Sequence, residues 1–270
     1  APKAHPSQRG GAWDMLTRAP TLRTANILLD QAHGAFDRAV RAALEDPARP
    51  AELARFAPVG RHLVEPWKVV VAGPPNVGKS SLVNALAGYQ RSVVSPTPGT
   101  TRDVVTTTLA FDGWPVELAD TAGLRDAAGL EAEGIDKARA RLATADVVLW
   151  VMDASVADLE YPDDATREAG RRAQWVPVLN KFDLVAEGWP PDYPLDAPQV
   201  SARTGDGIPH LIAWVAFKLV RDPPPPGAAV PYTPELADAI VRAHSAYSLG
   251  KSDEAARLLR ACVAAEPPVG

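Results

Sequence analysis

The 270-residue chain has one cysteine, Cys262, which excludes an internal disulfide framework and a cysteine-based zinc site. Long hydrophobic runs are missing too. Val69-Val70-Val71-Ala72 and Val147-Val148-Leu149-Trp150-Val151-Met152 fall far short of the about 20 residues that a membrane-spanning helix needs. The first eleven residues lack the charged-then-apolar pattern of a secretory signal, so a soluble protein of cytoplasmic location with no membrane partner is expected. The first residue is Ala, not Met, which leaves room for an upstream segment. A strong basic excess is also lacking. The net charge is −5: residues 1–62 carry nine basic and six acidic side chains, residues 63–224 fifteen and 22, and residues 225–270 four and five. A nucleic-acid reader concentrates positive charge more than this, so the N-terminal excess reads as a solvated helix face, with RNA contact the lesser reading. At 46% hydrophobic, the chain is a folded one, long enough for one large domain or two modest ones.

Proline is abundant, at 27 residues. The run Pro223-Pro224-Pro225-Pro226-Gly227 cannot continue a helix and reads as an extended linker over residues 223–232. A second boundary lies near Ala57-Pro58-Val59-Gly60. Leu22, Ala25, Leu28, Ala32, Phe36, Val40 and Leu44 recur at helical spacing and predict one long amphipathic helix, with a short one near residues 51–57. After the prolines, Thr233-Pro234-Glu235 reads as an N-cap, a first-turn proline and an acidic first turn. That helix runs to about Tyr247, Gly250 ends it, and a second runs from Ser252 to about Ala265. The expected organisation is an N-terminal helical segment (1–62), a central domain (63–222), the linker, and a C-terminal helical hairpin (233–270).

The middle alternates short apolar strands, near 67–72, 104–111, 114–120, 146–152, 176–180 and 197–201, with helical stretches after Lys79, Ile135, Asp164 and Gly207. This predicts an α/β domain with a mostly parallel sheet and helices on both faces, flanked by the terminal helices. Asp112-Gly113 between two strands is a hairpin signal, so one strand should be antiparallel. Trp67, Trp114, Trp150, Trp175 and Trp214 read as core and edge aromatics.

Gly73-Pro74-Pro75-Asn76-Val77-Gly78-Lys79-Ser80 follows an apolar strand and opens a helix, the context a phosphate loop requires. Backbone N–H groups of residues 76–81 (Asn76, Val77, Gly78, Lys79, Ser80, Ser81) would cradle phosphates at the positive helix end. Lys79 would place a point charge on the outer phosphates, and the Ser80 hydroxyl can ligate Mg²⁺. Asp120-Thr121-Ala122-Gly123 closes a strand; the acid can hold a metal-bound water, and the Gly123 N–H can touch the terminal phosphate. Asn180-Lys181-Phe182-Asp183 closes another. A carboxylate at Asp183 would accept from N1–H and the amino group of guanine, a donor pair that adenine lacks. Asn180 and Lys181 would brace that loop, and the backbone of Ser201-Ala202-Arg203 would meet the guanine oxygen.

These motifs, with Pro98-Gly99-Thr100-Thr101-Arg102-Asp103 and Asp120-Thr121-Ala122-Gly123-Leu124-Arg125, resemble a translation-factor-class P-loop GTPase, and more closely the TrmE (MnmE) branch of the TrmE–Era–Der superfamily. The resemblance spans about residues 66–218. It implies GTP binding and Mg²⁺-dependent hydrolysis to GDP and phosphate, stimulated by K⁺ through docking of two GTPase domains as a transient homodimer. By the same resemblance Asn76, Ser95, Thr97 and Thr100 would hold K⁺, and Thr101 would join Ser80 on Mg²⁺. Leu124 stands where many GTPases carry a water-orienting glutamine, and Glu131 matches the family's catalytic glutamate, with Glu133 the neighbouring alternative. Helices on both sides of the GTPase domain also fit that branch, where the domain is inserted into a helical one. The family's folate-binding domain and its terminal Cys-Ile-Gly-Lys are not matched: Cys262 is followed by Val263-Ala264-Ala265-Glu266 and reads as a packed small hydrophobe. The chain is thus either a fragment or a shortened relative. The family implies a partner of the tRNA-modification type. The competing class is a ribosome-assembly or RNA-binding switch like Era or Der, but the tail lacks the pattern of an RNA-binding KH domain.

Overall fold

The computed structural model describes residues 9–46, 49–93, 106–120, 131–185 and 196–263, with the backbone alone for 9–10, 90–93, 106 and 131–136. The chain divides into two compact units, one of Ala1–Pro66 with Asp222–Gly270 and one of Trp67–Arg221.

In the first unit, helices α1 (Arg9–Leu16), α2 (Leu22–Ala32), α3 (Ala35–Glu45), α4 (Pro50–Arg55) and α5 (Ala57–Gly60) come from the N-terminal part. Two more, α10 (Pro234–Ser248) and α11 (Ser252–Cys262), come from the C-terminal part and pack as a hairpin. The single helix expected over residues 22–44 is two. Apolar spacing continues through the junction, but Gly34 adopts φ +86° and turns the chain between α2 and α3. Thr21 and Thr24 cap α2 reciprocally, as a capping box does. Leu28, Phe36, Val40, Leu236, Ala237, Ile240 and Leu259 are buried here, each large apolar one worth about 1.5–3 kcal/mol. The proline-rich stretch is tied to α2. The Gln31 amide donates to the Ala228 carbonyl at 3.0 Å and accepts from the Val230 N–H at 3.1 Å, and Asp30 accepts from the Gly227 N–H at 2.8 Å.

The second unit holds β1 (Trp67–Ala72), α6 (Lys79–Val93), β2 (Thr106–Phe111), β3 (Trp114–Asp120), α7 (Glu131–Thr144), β4 (Val147–Asp153), α8 (Asp164–Ala169), β5 (Gln174–Asn180) and α9 (Ile208–Leu219). The five strands run in the order β2-β3-β1-β4-β5. All pairs are parallel except β2 with β3, whose Asp112-Gly113 turn has φ of +48° and +78°, the left-handed pair that a two-residue hairpin favours. The strand expected at 197–201 reduces to one bridge, Leu179 to Gln199. Pro198 accepts there through its carbonyl but has no N–H to extend the ladder. Val70, Ala72 and Val148 face Leu142 of α7 in one cluster, while α6 and α9 pack together against the β1–β3 half of the sheet. This is the expected α/β fold, a mostly parallel sheet with helices on its faces. No described helix is long and apolar enough to cross a membrane.

Candidate functional site

Because β1, β3, β4 and β5 are mutually parallel, their carboxyl ends share one edge of the sheet. In such sheets that edge is where ligands bind. The phosphate loop leaves β1 there, and Asp120, Asp153 and Asn180 end β3, β4 and β5.

The loop curls around its own N–H groups through left-handed backbone. Asn76 has φ +63° and Gly78 φ +89°. A Cβ at Gly73 would sit 2.3 Å from the Val151 carbonyl oxygen, and one at Gly78 2.4 Å from Asn180 Nδ2, so neither position admits a side chain. Lys79 is buried, and its ammonium donates to the Pro74 carbonyl at 2.6 Å, across the mouth of the loop. The Ser80 hydroxyl donates to Asp120 Oδ2 at 2.6 Å. Ser80 and Asp120 therefore offer a hydroxyl and a carboxylate side by side. Among the described residues no group of three His, Cys, Asp or Glu side chains gathers to hold a metal. A hard oxygen pair of this kind fits Mg²⁺, which takes one or two protein oxygens and completes its shell with phosphate and water.

Asn180, 2% exposed, joins the two halves of the site. Its Nδ2 donates to the Val77 carbonyl of the phosphate loop at 2.8 Å, and its Oδ1 accepts from the Ala202 N–H at 3.0 Å. Both ends of a buried amide are satisfied, so a single side chain fixes the phosphate loop against residues 201–203. A cavity of about 200 Å³ opens beside it, lined by Gly78, Asn180, Lys181, Asp183, Ala202 and Arg203 among others. In Asp183 one oxygen accepts from the Ser201 hydroxyl at 2.6 Å and the other from Arg203 Nε at 2.9 Å, with Arg203 Nη2 in ion-pair contact at 2.7 Å. The Ser201 hydrogen bond, and after it the Arg203 bonds and charge, hold the Asp183 carboxyl below its ordinary range in spite of burial. It is ionised at neutral pH and acts as an acceptor.

The sequence reading gave Asp153 no role. Its Oδ2 accepts from Lys181 Nζ at 2.6 Å, while its Oδ1 accepts from the N–H and hydroxyl of Ser155 at 2.9 and 2.6 Å. Burial pushes this carboxyl up, but the Lys181 and Ser155 hydrogen bonds and the Lys181 charge outweigh it and leave it below the ordinary value. Lys181 has φ +61°, left-handed for a residue with a side chain, and Asp153 ties its far end. The available signal was an acid at the end of a strand that shares this edge. Of the expected site residues, Ser95, Thr97, Thr100, Thr101 and Gly123 lie outside the described residues. Glu131 opens α7, and its side chain lies outside them as well.

A glycine-walled amide loop with a buried lysine, a serine–aspartate oxygen pair and a second loop carrying an aspartate define a P-loop GTPase domain. Residues 68–181 match the family described as 50S ribosome-binding GTPase. Among curated proteins, this chain is 45% identical over 165 residues to the tRNA modification GTPase MnmE of Xanthomonas campestris pv. campestris, covering 60% of this chain and 36% of that protein. It is 45% identical over 158 residues to the MnmE of Rhodopseudomonas palustris, covering 57% of this chain and 33% of the relative. The chain is thus similar in sequence to part of these tRNA modification GTPases. The match spans about a third of the length of these relatives.

Proposed function

We propose that the chain binds GTP with Mg²⁺ and hydrolyses it to GDP and phosphate as a K⁺-stimulated switch whose GTPase domains dock as a transient homodimer. The observation that supports this reading is the Asn180 bridge, which ties the Val77 carbonyl of the first loop to the Ala202 N–H, between Ser201 and Arg203 that hold the Asp183 carboxylate. Phosphoryl transfer needs positioning and charge neutralisation more than covalent chemistry. Residues 76–81 would hold the phosphates with backbone N–H groups, and Lys79 would exchange its Pro74 carbonyl for a phosphate oxygen. Ser80 and Thr101, with Asp120 behind them, would hold Mg²⁺; Asn76, Ser95, Thr97 and Thr100 would hold K⁺. Bound cations would supply neutralisation of the charge that develops on the transferring phosphoryl group. Leu124 cannot orient water, so Glu131 would do so through a second water, and the Gly123 N–H would receive the terminal phosphate.

GTP turnover measured in K⁺ and in Na⁺ at several protein concentrations tests this reading. Faster turnover in K⁺, rising with concentration and lost in Asn76→Ala, is expected. Equal rates in both salts, with Asn76→Ala unchanged, would remove K⁺, and turnover per molecule that does not change with concentration would remove dimerisation. Normal turnover in Glu131→Ala would move the water-orienting role elsewhere, first to Glu133. The relatives' name, tRNA modification GTPase, supports a role beside a tRNA-modifying partner in the cytoplasm. The matched family's description, 50S ribosome-binding GTPase, favours a second reading as a ribosome-assembly or RNA-binding switch. Capture from lysate with GTP-loaded and GDP-loaded protein separates them: a tRNA-modifying flavoprotein supports the first, rRNA or ribosomal proteins the second.

A further inference from the structure

Arg203 was expected to serve the base through its backbone. Its side chain lies on the carboxylate that the base would use. Asp183 has two oxygens with about four acceptor sites between them. One oxygen accepts from the Ser201 hydroxyl at 2.6 Å, and the carboxylate also accepts from its own backbone N–H. The other oxygen accepts from Arg203 Nε at 2.9 Å and has Arg203 Nη2 in ion-pair contact at 2.7 Å, so the guanidinium covers it. Guanine presents N1–H and an amino group from one N–C–N edge and needs an acceptor on each oxygen. That edge is itself a guanidine fragment, so base and side chain carry the same donor pair.

We propose that Arg203 is a built-in competitor for guanine, a displaceable side chain that occupies the specificity carboxylate and must withdraw for the base to pair. This rests on the guanine reading of Asp183. Exposure of the two partners sets which of them yields. The Arg203 side chain is 74% exposed and the Asp183 side chain 12%, so the guanidinium can swing into water while the carboxylate stays. Ser201 holds the carboxylate in place through the oxygen that Arg203 does not take. The nearest other cation of the loop, Lys181, is engaged by Asp153 at 2.6 Å and does not replace Arg203 on Asp183. Arg203 therefore lowers guanine-nucleotide affinity and, by taking the carboxylate as the base departs, speeds release.

The full chain, its Arg203→Ala variant and its Arg203→Lys variant should be titrated with a fluorescent GDP, with dissociation followed by stopped flow. The pair is exposed, so Arg203→Ala should tighten GDP binding by about two- to fivefold and slow dissociation to match. Arg203→Lys should fall between, because an ammonium cannot present two fixed N–H groups. The gap between wild type and Arg203→Ala should close as salt is raised to about 1 M, where screening acts within about 3 Å. A site in which Arg203 merely supports the fold gives weaker GDP binding in Arg203→Ala, at every salt concentration. That result, or unchanged affinity, overturns the proposal. An ADP titration keeps the two readings apart. If wild type selects GDP over ADP and Arg203→Ala fails to tighten it, only the competitor falls; if wild type takes ADP equally well, the guanine reading falls and the competitor with it.

Discussion

The two units bury polar side chains for different purposes. Among the described residues of the helical unit, the buried polar ones are Thr24, Gln31 and Thr233, and each turns back on its own unit. Thr24 and Thr233 cap helices, and Gln31 ties the proline-rich stretch to α2. In the central unit they are Lys79, Asp120, Asn180 and Ser201, and all four stand at one edge of the sheet. Burying a polar group costs free energy unless it is hydrogen-bonded. Both units meet that cost, the first with bonds that close local structure and the second with bonds that join separate loops into one site. The family match, residues 68–181, takes in three of the four at the sheet edge, Lys79, Asp120 and Asn180.

The largest expected effect is at Gly78, where any side chain meets Asn180. Gly78→Ala places a Cβ 2.4 Å from Asn180 Nδ2 at a φ of +89°. Left-handed strain of about 1–2 kcal/mol adds to about 1–3 kcal/mol for the broken amide bond. Together they predict about a 100-fold loss of GTP affinity at 1.4 kcal/mol per tenfold, read by calorimetry. A loss below about tenfold would mean that the Asn180 bridge does not couple the phosphate and base loops, and the contrast between the units would weaken.

How far the chain could be read without coordinates follows the same contrast. The phosphate loop was legible because close amide approach to a ligand demands glycine at fixed positions in a strand–loop–helix context. The hairpin was legible because Asp112-Gly113 suits two left-handed residues in a row. The helix break at Gly34 was not, because Ala32 and Phe36 keep helical spacing across it and one glycine is a weak stop signal. Helix α1 was missed for a related reason, since Gly10 and Gly11 lower its propensity and its support is tertiary, Trp13 meeting His33 edge-on at 5.9 Å. Asp153 was illegible because a lone acid after a strand has no spacing signature. Its meaning comes from Lys181, which the sheet register brings alongside by pairing Asp153 with Asn180.

A middle-sized effect sharpens the comparison from the other side. Gln31 is 4% exposed, donates to Ile27 and Ala228 carbonyls at 2.8 and 3.0 Å, and accepts from the Val230 N–H. Gln31→Ala strands the buried Val230 N–H and the half-buried Ala228 carbonyl and should cost about 1–3 kcal/mol in urea unfolding. GTP affinity should stay within about twofold, as expected for a site that shares no partners with it. A larger change in affinity would show that polar burial in the helical unit also serves the nucleotide.

The smallest effect concerns Cys262, a buried group of the helical unit that turns inward like the others. It is 1% exposed, its thiol donates to the Leu258 carbonyl at 3.3 Å, and burial pushes its pKa up to about 11. A raised thiol pKa means that the folded state holds its proton longer than the unfolded chain does. The stabilisation is complete below the ordinary thiol value of about 8.5 and is lost as pH climbs from there through about 11. Tyr232, also raised by burial, to about 12, contributes the upper part of the same decline. Cys262→Ala should therefore flatten stability between about pH 8.5 and 10 and reduce the Tyr232 portion above it, since the Cys262 charge helps to raise Tyr232. The native thiol should also resist an aromatic disulfide reagent at about pH 8 and react once the chain is unfolded in urea, since attack requires the thiolate. Rapid labelling of the folded protein would place Cys262 among groups open to chemistry, and the helical unit could no longer be described as burying polar groups for its own structure alone.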